Sequence, residues 1–263
     1  MEQLTRLKEI MDTLRGENGC NWDKKQTATS LIPYILEESY EVVDAIQNED
    51  PDHIKEELGD LLFNVFFQAR IAEENEQFTI NEVAKEVSDK LVRRHPHVFE
   101  NQQDIDAKQV LANWEKIKEN EKKNKQTKQQ FLLDEIPNSL PSLLYAEKLQ
   151  RKAAKVGFDW EEAEDVLGKV KEEVSELEEA SGQSTTNQEH LEEELGDALF
   201  ALVNLSRFYD ISPEKALRGS CQKFKKRFSY IESQAGTQKT PLEEMSLAEM
   251  DALWTQAKKL EKK

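Results

Sequence analysis

An acidic five-residue stretch, and further on an acidic pair running into Gly-Asp, occur twice in this chain in the same order. Residues 37–41 read EESYE and 172–176 read EEVSE; residues 56–63 read EELGDLLF and 193–200 read EELGDALF. The neighbours repeat too. Lys90 and Arg94 stand four apart, as do Lys223 and Arg227; Trp22 and Trp160 precede the acidic stretches, and Trp114 and Trp254 follow the basic pairs. Matching elements in matching order imply duplication of one domain of roughly 120 residues, so each half must fold around the same plan.

The periodicity inside each half is helical. Leu36, Tyr40, Val43 and Ile46 recur at helical spacing, as do Leu58, Leu61, Leu62, Val65 and Ala69. Nine glycines, seven prolines and few β-branched runs in 263 residues agree with an all-α fold. Asn48-Glu49-Asp50-Pro51-Asp52 reads as a turn, with Asp50 placed to cap the next helix and Pro51 at its first position. In the second half the turn is the longer stretch 181–187, which explains why its acidic pairs lie two residues further apart. His95-Pro96-His97 reads as a helix end and a turn. Residues 118–130 (KENEKKNKQTKQQ) contain no apolar side chain. The expected division is therefore a first domain over 1–120, a charged linker over 121–135 and a second domain over 136–263.

Glu173 and Glu176 are three apart, and so are Glu194 and Asp197, so each pair shares a helical face. If the two helices form an antiparallel hairpin, the pairs meet at similar height. Glu38, Glu41, Glu57 and Asp60 repeat the arrangement. Carboxylates held together repel unless they are protonated or bind cations. Hard oxygen donors, with no thiol or imidazole at ligand spacing, point to magnesium or manganese. The four histidines, His53, His95, His97 and His190, form no ligand pattern. One ExxE on an acidic helix is usually a solvated face; two copies, each followed by Gly-Asp and an apolar helix, are not explained that way. Downstream, Lys223, Lys226 and Arg227 share a predicted helix with Phe224 and Phe228. Such cations either grip phosphate oxygens beside a metal or snorkel from an ordinary amphipathic helix. Trp254 either stacks on a base or belongs to the core.

Charge narrows the partners. With 53 acidic against 36 basic residues and a net charge of −17, the chain lacks the basic stripe that a nucleic-acid backbone requires. A triphosphate remains compatible, because divalent cations can stand between it and the acids. No apolar run approaches the ~20 residues of a membrane span, and the N-terminus lacks an apolar signal core. Cys20 and Cys221 form no CxxC pair and read as free thiols in a reducing, cytoplasmic setting.

EExxE followed by EELGD, twice in one chain, with GCNWD at 19–23 and RRHPHVF at 93–99, resembles the MazG nucleoside triphosphate pyrophosphohydrolases over nearly its whole length. A single acidic pair of this kind would indicate only the wider all-α NTP pyrophosphatase group. The resemblance implies two tandem MazG-type helical bundles and a magnesium-dependent reaction, NTP plus water to NMP plus diphosphate, of broad specificity and suited to cleansing the nucleotide pool. It implies Glu173, Glu176, Glu194 and Asp197 as metal ligands, and Lys169, Glu172, Glu193, Lys223, Arg227 and Trp254 as the lining of the nucleotide site. It also implies a homodimer, with helices of two protomers around each site. Glu173 or Glu176 is the expected proton acceptor. The second half carries Asn204 where the first has Phe67, and Lys169 where the first has Tyr34, so the second half is expected to be the main catalytic domain. Three other readings compete. They are a narrower enzyme of dUTPase or modified-nucleotide type, a non-enzymatic acidic interaction module, and a di-iron bundle; the last lacks the Glu-x-x-His pairs it would need.

Overall fold

A computed structural model describes residues 2–100, 105–124, 131–182, 187–238 and 240–261. The chain divides into two compact units, Met1–Thr127 and Lys128–Lys263, and the described residues contain helices and turns but no strand. Unit 1 holds α1 (Glu2–Arg15), α2 (Asn21–Lys25), α3 (Ile32–Gln47), α4 (Pro51–Glu74), α5 (Ile80–Arg94), α6 (Pro96–Phe99) and α7 (Ala107–Asn124). Unit 2 holds α8 (Ser142–Ala154), α9 (Ala163–Ser181), α10 (Gln188–Phe208), α11 (Pro213–Gln238) and α12 (Leu247–Leu260). Of the linker expected at 121–135, residues 125–130 lie outside the described residues; α7 runs to Asn124, and Leu132–Glu135 forms a 3-10 turn.

The helix starts follow local chemistry. Asp50 caps α4, its carboxylate accepting from the backbone N–H groups of Asp52 and His53 at 3.1 and 3.2 Å, with Pro51 at the first position. Asn187 caps α10 by accepting from the Glu189 N–H at 3.2 Å. Thr79 with Glu82 and Ser246 with Glu249 form reciprocal capping boxes at the starts of α5 and α12. The break between α5 and α6 falls at His95-Pro96, where the proline cannot continue the preceding helix.

In unit 1, α3 pairs with α4, α1 and α5 pack on α4, and α7 packs on α5. Its core gathers Met11, Leu31, Phe67 and Ile71, with Phe63 against them. Arg15 clamps α1 to the end of α4 by donating to both oxygens of Glu74 at 2.9 and 2.6 Å. In unit 2, α9 pairs with α10, α8 packs on α10, and α11 packs on both α8 and α12. Val166, Val170, Ala198, Ala201 and Val203 are buried in the first of these pairs, and Ile231, Leu253 and Ala257 in the last. The hairpins α3–α4 and α9–α10 are thus the repeated scaffold on which the acidic motifs sit.

Each hairpin leaves an apolar stripe uncovered. Leu58, Leu62 and Val65 are exposed on α4, and Leu195, Leu199 and Leu202 on α10. Both sets follow the spacing i, i+4, i+7, one side of a helix, and they occupy matching places after the acidic pair. Gly59 and Gly196 stand beside these stripes, and a Cβ at either would meet nothing within 4 Å. A helix-interior glycine costs about 0.5–1 kcal/mol relative to alanine, and nothing in the chain's own packing requires it here.

Candidate active site

The α9–α10 hairpin brings one carboxylate oxygen each from Glu173, Glu194 and Asp197 within 4.8 Å of one another. Glu173 is 6% exposed, Glu194 is half-buried, and Asp197 is open to solvent. The ammonium of Lys169, one turn earlier on α9, donates to Glu173 Oε1 at 2.7 Å and to Glu172 Oε1 at 3.0 Å. The two carboxylates raise the pKa of Lys169 above its usual value, Glu173 first and then Glu172. Glu176 lies outside the tight trio but feels it. Its carboxyl is pushed up by desolvation first, then by the charges of Glu173 and Glu194, with Lys169 opposing. Glu193 is exposed and, four residues before Asp197, shares that residue's side of α10.

Unit 1 gathers a differently composed trio, Glu38, Glu41 and Glu57, with carboxylate oxygens within 4.8 Å; Glu41, the counterpart of Glu176, belongs to it, and Asp60, the counterpart of Asp197, does not. Glu57 is 8% exposed. Glu38 is pushed up by desolvation first and then by Asp60, Glu41 and Glu57. At the register of Lys169 stands Tyr34, whose ring meets Trp22 edge-on with centroids 5.9 Å apart. A donor set of carboxylates alone, partly buried and mutually repelling, fits a hard divalent cation in both units.

One pairing escaped the reading of the sequence. His53 Nε2 lies 2.8 Å from Glu57 Oε1, and His190 Nδ1 lies 3.4 Å from Glu194 Oε1. Neither histidine completes a ligand pattern, yet each reaches the first acid of its α4 or α10 pair from one turn upstream. The signal was present: a histidine four residues before that acid in both halves.

The basic residues sit elsewhere in unit 2. Lys223, Lys226 and Arg227 lie on α11, and Trp254 lies on α12, a different helix pair from the one bearing the acids. Arg227 is committed on one edge, its Nε and Nη2 donating to Glu261 Oε2 at 3.0 and 2.7 Å. Its guanidinium lies 5.4 Å from the centroid of the Trp254 ring, and Phe224 packs on that ring at 5.2 Å. Trp254 therefore serves first as a platform for Arg227. Unit 1 matches this arrangement. Arg94 donates to Glu121 Oε2 from Nε at 3.1 Å and Nη2 at 2.7 Å, with its guanidinium 5.9 Å from Trp114. Asn204, expected near the acidic face, has its side-chain oxygen taken by Arg207 at 3.2 and 2.9 Å, and Arg207 in turn pairs with Asp159. Its counterpart Phe67 is wholly buried in the core of unit 1, so that difference separates the packing of the units as well as their polarity.

Two all-α units, each presenting a carboxylate hairpin and an Arg–Trp–Glu group, define a duplicated helical domain. The MazG nucleotide pyrophosphohydrolase domain matches residues 26–99 and 161–231, and the chain belongs to that family as two tandem copies. A nucleoside triphosphate pyrophosphohydrolase of Escherichia coli K12 is 45% identical over 99% of both chains. One named nucleoside triphosphate pyrophosphohydrolase/pyrophosphatase MazG, from Thermotoga maritima, is 44% identical over 96% of this chain and 94% of its own. An uncharacterised protein of Bacillus subtilis, YabN, is 49% identical over 99% of this chain but only 53% of its own length. Among the described residues no helix is long and apolar enough to cross a membrane, and Cys20 and Cys221 are free and exposed.

Proposed function

We propose that this protein hydrolyses nucleoside and deoxynucleoside triphosphates to the monophosphate and diphosphate, with broad specificity, as a cytoplasmic cleanser of the nucleotide pool. The observation that carries the reading is the Glu173–Glu194–Asp197 trio, three carboxylate oxygens within 4.8 Å that run from the buried Glu173 to the exposed Asp197. The reaction itself is supported by relatives of that name at 44–45% identity over nearly the whole chain. Glu173, Glu194 and Asp197 would hold magnesium, with manganese a substitute, and Glu176 completes the set. When bound, the ion neutralises phosphate charge and polarises the anhydride under attack.

The chain's own groups supply the rest. A water oxygen adds to the α-phosphorus, the α–β bridging oxygen leaves with diphosphate, and the water's proton passes to a carboxylate. Glu176 is the better acceptor of the two acids expected for this role. It stands outside the tight trio, and desolvation first, then the charges of Glu173 and Glu194, raise its pKa. Lys169, Lys223, Lys226 and Arg227 bind phosphate oxygens, Glu172 and Glu193 line the approach, and Trp254 carries Arg227 beneath the nucleotide. Because Lys223, Lys226 and Arg227 stand on α11 and the acids with Lys169 on α9–α10, a second copy of the chain is the natural way to enclose the nucleotide. The exposed stripe of Leu195, Leu199 and Leu202 is the surface proposed to receive it. Unit 2 is the main catalytic unit, since Lys169 accompanies only its trio.

The test is hydrolysis of an NTP, dNTP and dUTP panel with and without magnesium, resolving NMP plus diphosphate from NDP plus phosphate. Glu194→Gln is expected to lower kcat about a thousandfold, whereas Glu57→Gln should spare most activity. The reverse pattern would sink the assignment of unit 2, and turnover confined to dUTP would replace broad specificity by a narrow one.

A further inference from the structure

The Arg227–Trp254–Glu261 group makes a specific demand on the C-terminal end of α12. We infer that Glu261 is a positioning residue, which fixes Arg227 over Trp254 so that the Nη1 end of the guanidinium meets the phosphates of the nucleotide. The inference rests on the reading of Arg227 as a phosphate ligand.

Three features support it. Glu261 accepts from Nε and Nη2 through one oxygen, Oε2, at 3.0 and 2.7 Å, which ties up a single edge of the guanidinium and leaves the Nη1 end outside the pair. The planar cation is simultaneously held against an aromatic face, 5.4 Å from its centroid. An arginine so fixed has lost its rotamer freedom before any ligand arrives, so phosphate binding does not bear that entropic cost. The second feature is recurrence. Trp114 and Glu121 stand seven residues apart on α7, as do Trp254 and Glu261, and Glu121 holds Arg94 through the same two donors to one Oε2. A chance surface contact would not keep the same donors, acceptor and aromatic platform in both units. The third is charge. Arg227, Lys226 and Lys223 all favour the ionised form of Glu261, so one carboxylate stands among three cations and the group remains net positive toward a phosphate.

The experiment uses the full chain with ATP and magnesium, comparing Arg227→Ala, Glu261→Ala, Glu261→Gln and the Arg227→Ala/Glu261→Ala double variant. Glu261→Ala is expected to raise KM about tenfold with kcat within about twofold, and Glu261→Gln, which keeps an acceptor, to lie between it and wild type. The double variant should be no worse than Arg227→Ala, because both changes remove one interaction. If Arg227→Ala raises KM while Glu261→Ala leaves it unchanged, the positioning role is overturned and the phosphate reading stands. If Arg227→Ala itself leaves KM unchanged, the phosphate reading fails with it. A lowered KM in Glu261→Ala would mean that the carboxylate competes with substrate, and a fall in Tm with equal loss of kcat would mean a plain strut; either result overturns the inference.

Discussion

Glu121 shows how much a single acid can be shifted at the surface of this protein. Arg94, desolvation and then Arg93 act on it, and the arginines win, holding its pKa down to about 2 against an ordinary 4.5. A carboxylate depressed in the folded state contributes stability above its unfolded pKa and loses it as pH falls through the folded one. Glu121→Gln is therefore expected to cost about 1 kcal/mol at pH 7, after allowance for solvent screening. The gap to wild type should close between pH 4.5 and about 2, as followed by denaturant unfolding at stepped pH. At this scale, pairs that depend on spacing along one helix were legible, although the two His–Glu pairs, four residues apart in both units, went unread. Glu173 with Glu176 and Glu194 with Asp197 were such pairs, and their facing partner followed from the hairpin. What spacing could not convey was rotamer and reach. It did not separate Glu176 from the trio. It also missed Glu261, which meets Arg227 from 34 residues away.

At the scale of elements, the two hairpins were legible because helical periodicity, the Asp50-Pro51 cap and the longer second turn all agree. The pairing of α11 with α12 was not, since amphipathic helices of similar pattern do not announce their neighbours. The exposed stripes belong to this scale too. Leu195, Leu199 and Leu202 form an apolar side on α10 with an open glycine beside it, a combination suited to close approach by another helix. Leu199→Asp is expected to shift sedimentation from dimer toward monomer while leaving the helix content of each chain in place by circular dichroism. A dimer undisturbed by that substitution would place the second copy on a different surface.

The whole molecule carries two acidic trios in a chain whose net charge is −17. Duplication was readable from the repeated words in the sequence, but the inequality of the copies depends on what neighbours each trio. Lys169 occupies Glu173 in unit 2, while the corresponding Tyr34 in unit 1 turns to Trp22. An ion entering unit 2 must displace a resident ammonium; in unit 1 the same register offers an aromatic ring. Titration calorimetry with magnesium is therefore expected to reveal two unequal classes of binding, the tighter lost in Glu57→Gln and the weaker in Glu194→Gln. The order of filling would then run opposite to the order of usefulness. Occupancy measured on the whole chain would saturate its first half before turnover began, and a dose–response curve for the metal would lag behind the binding curve by the affinity of one lysine for one glutamate.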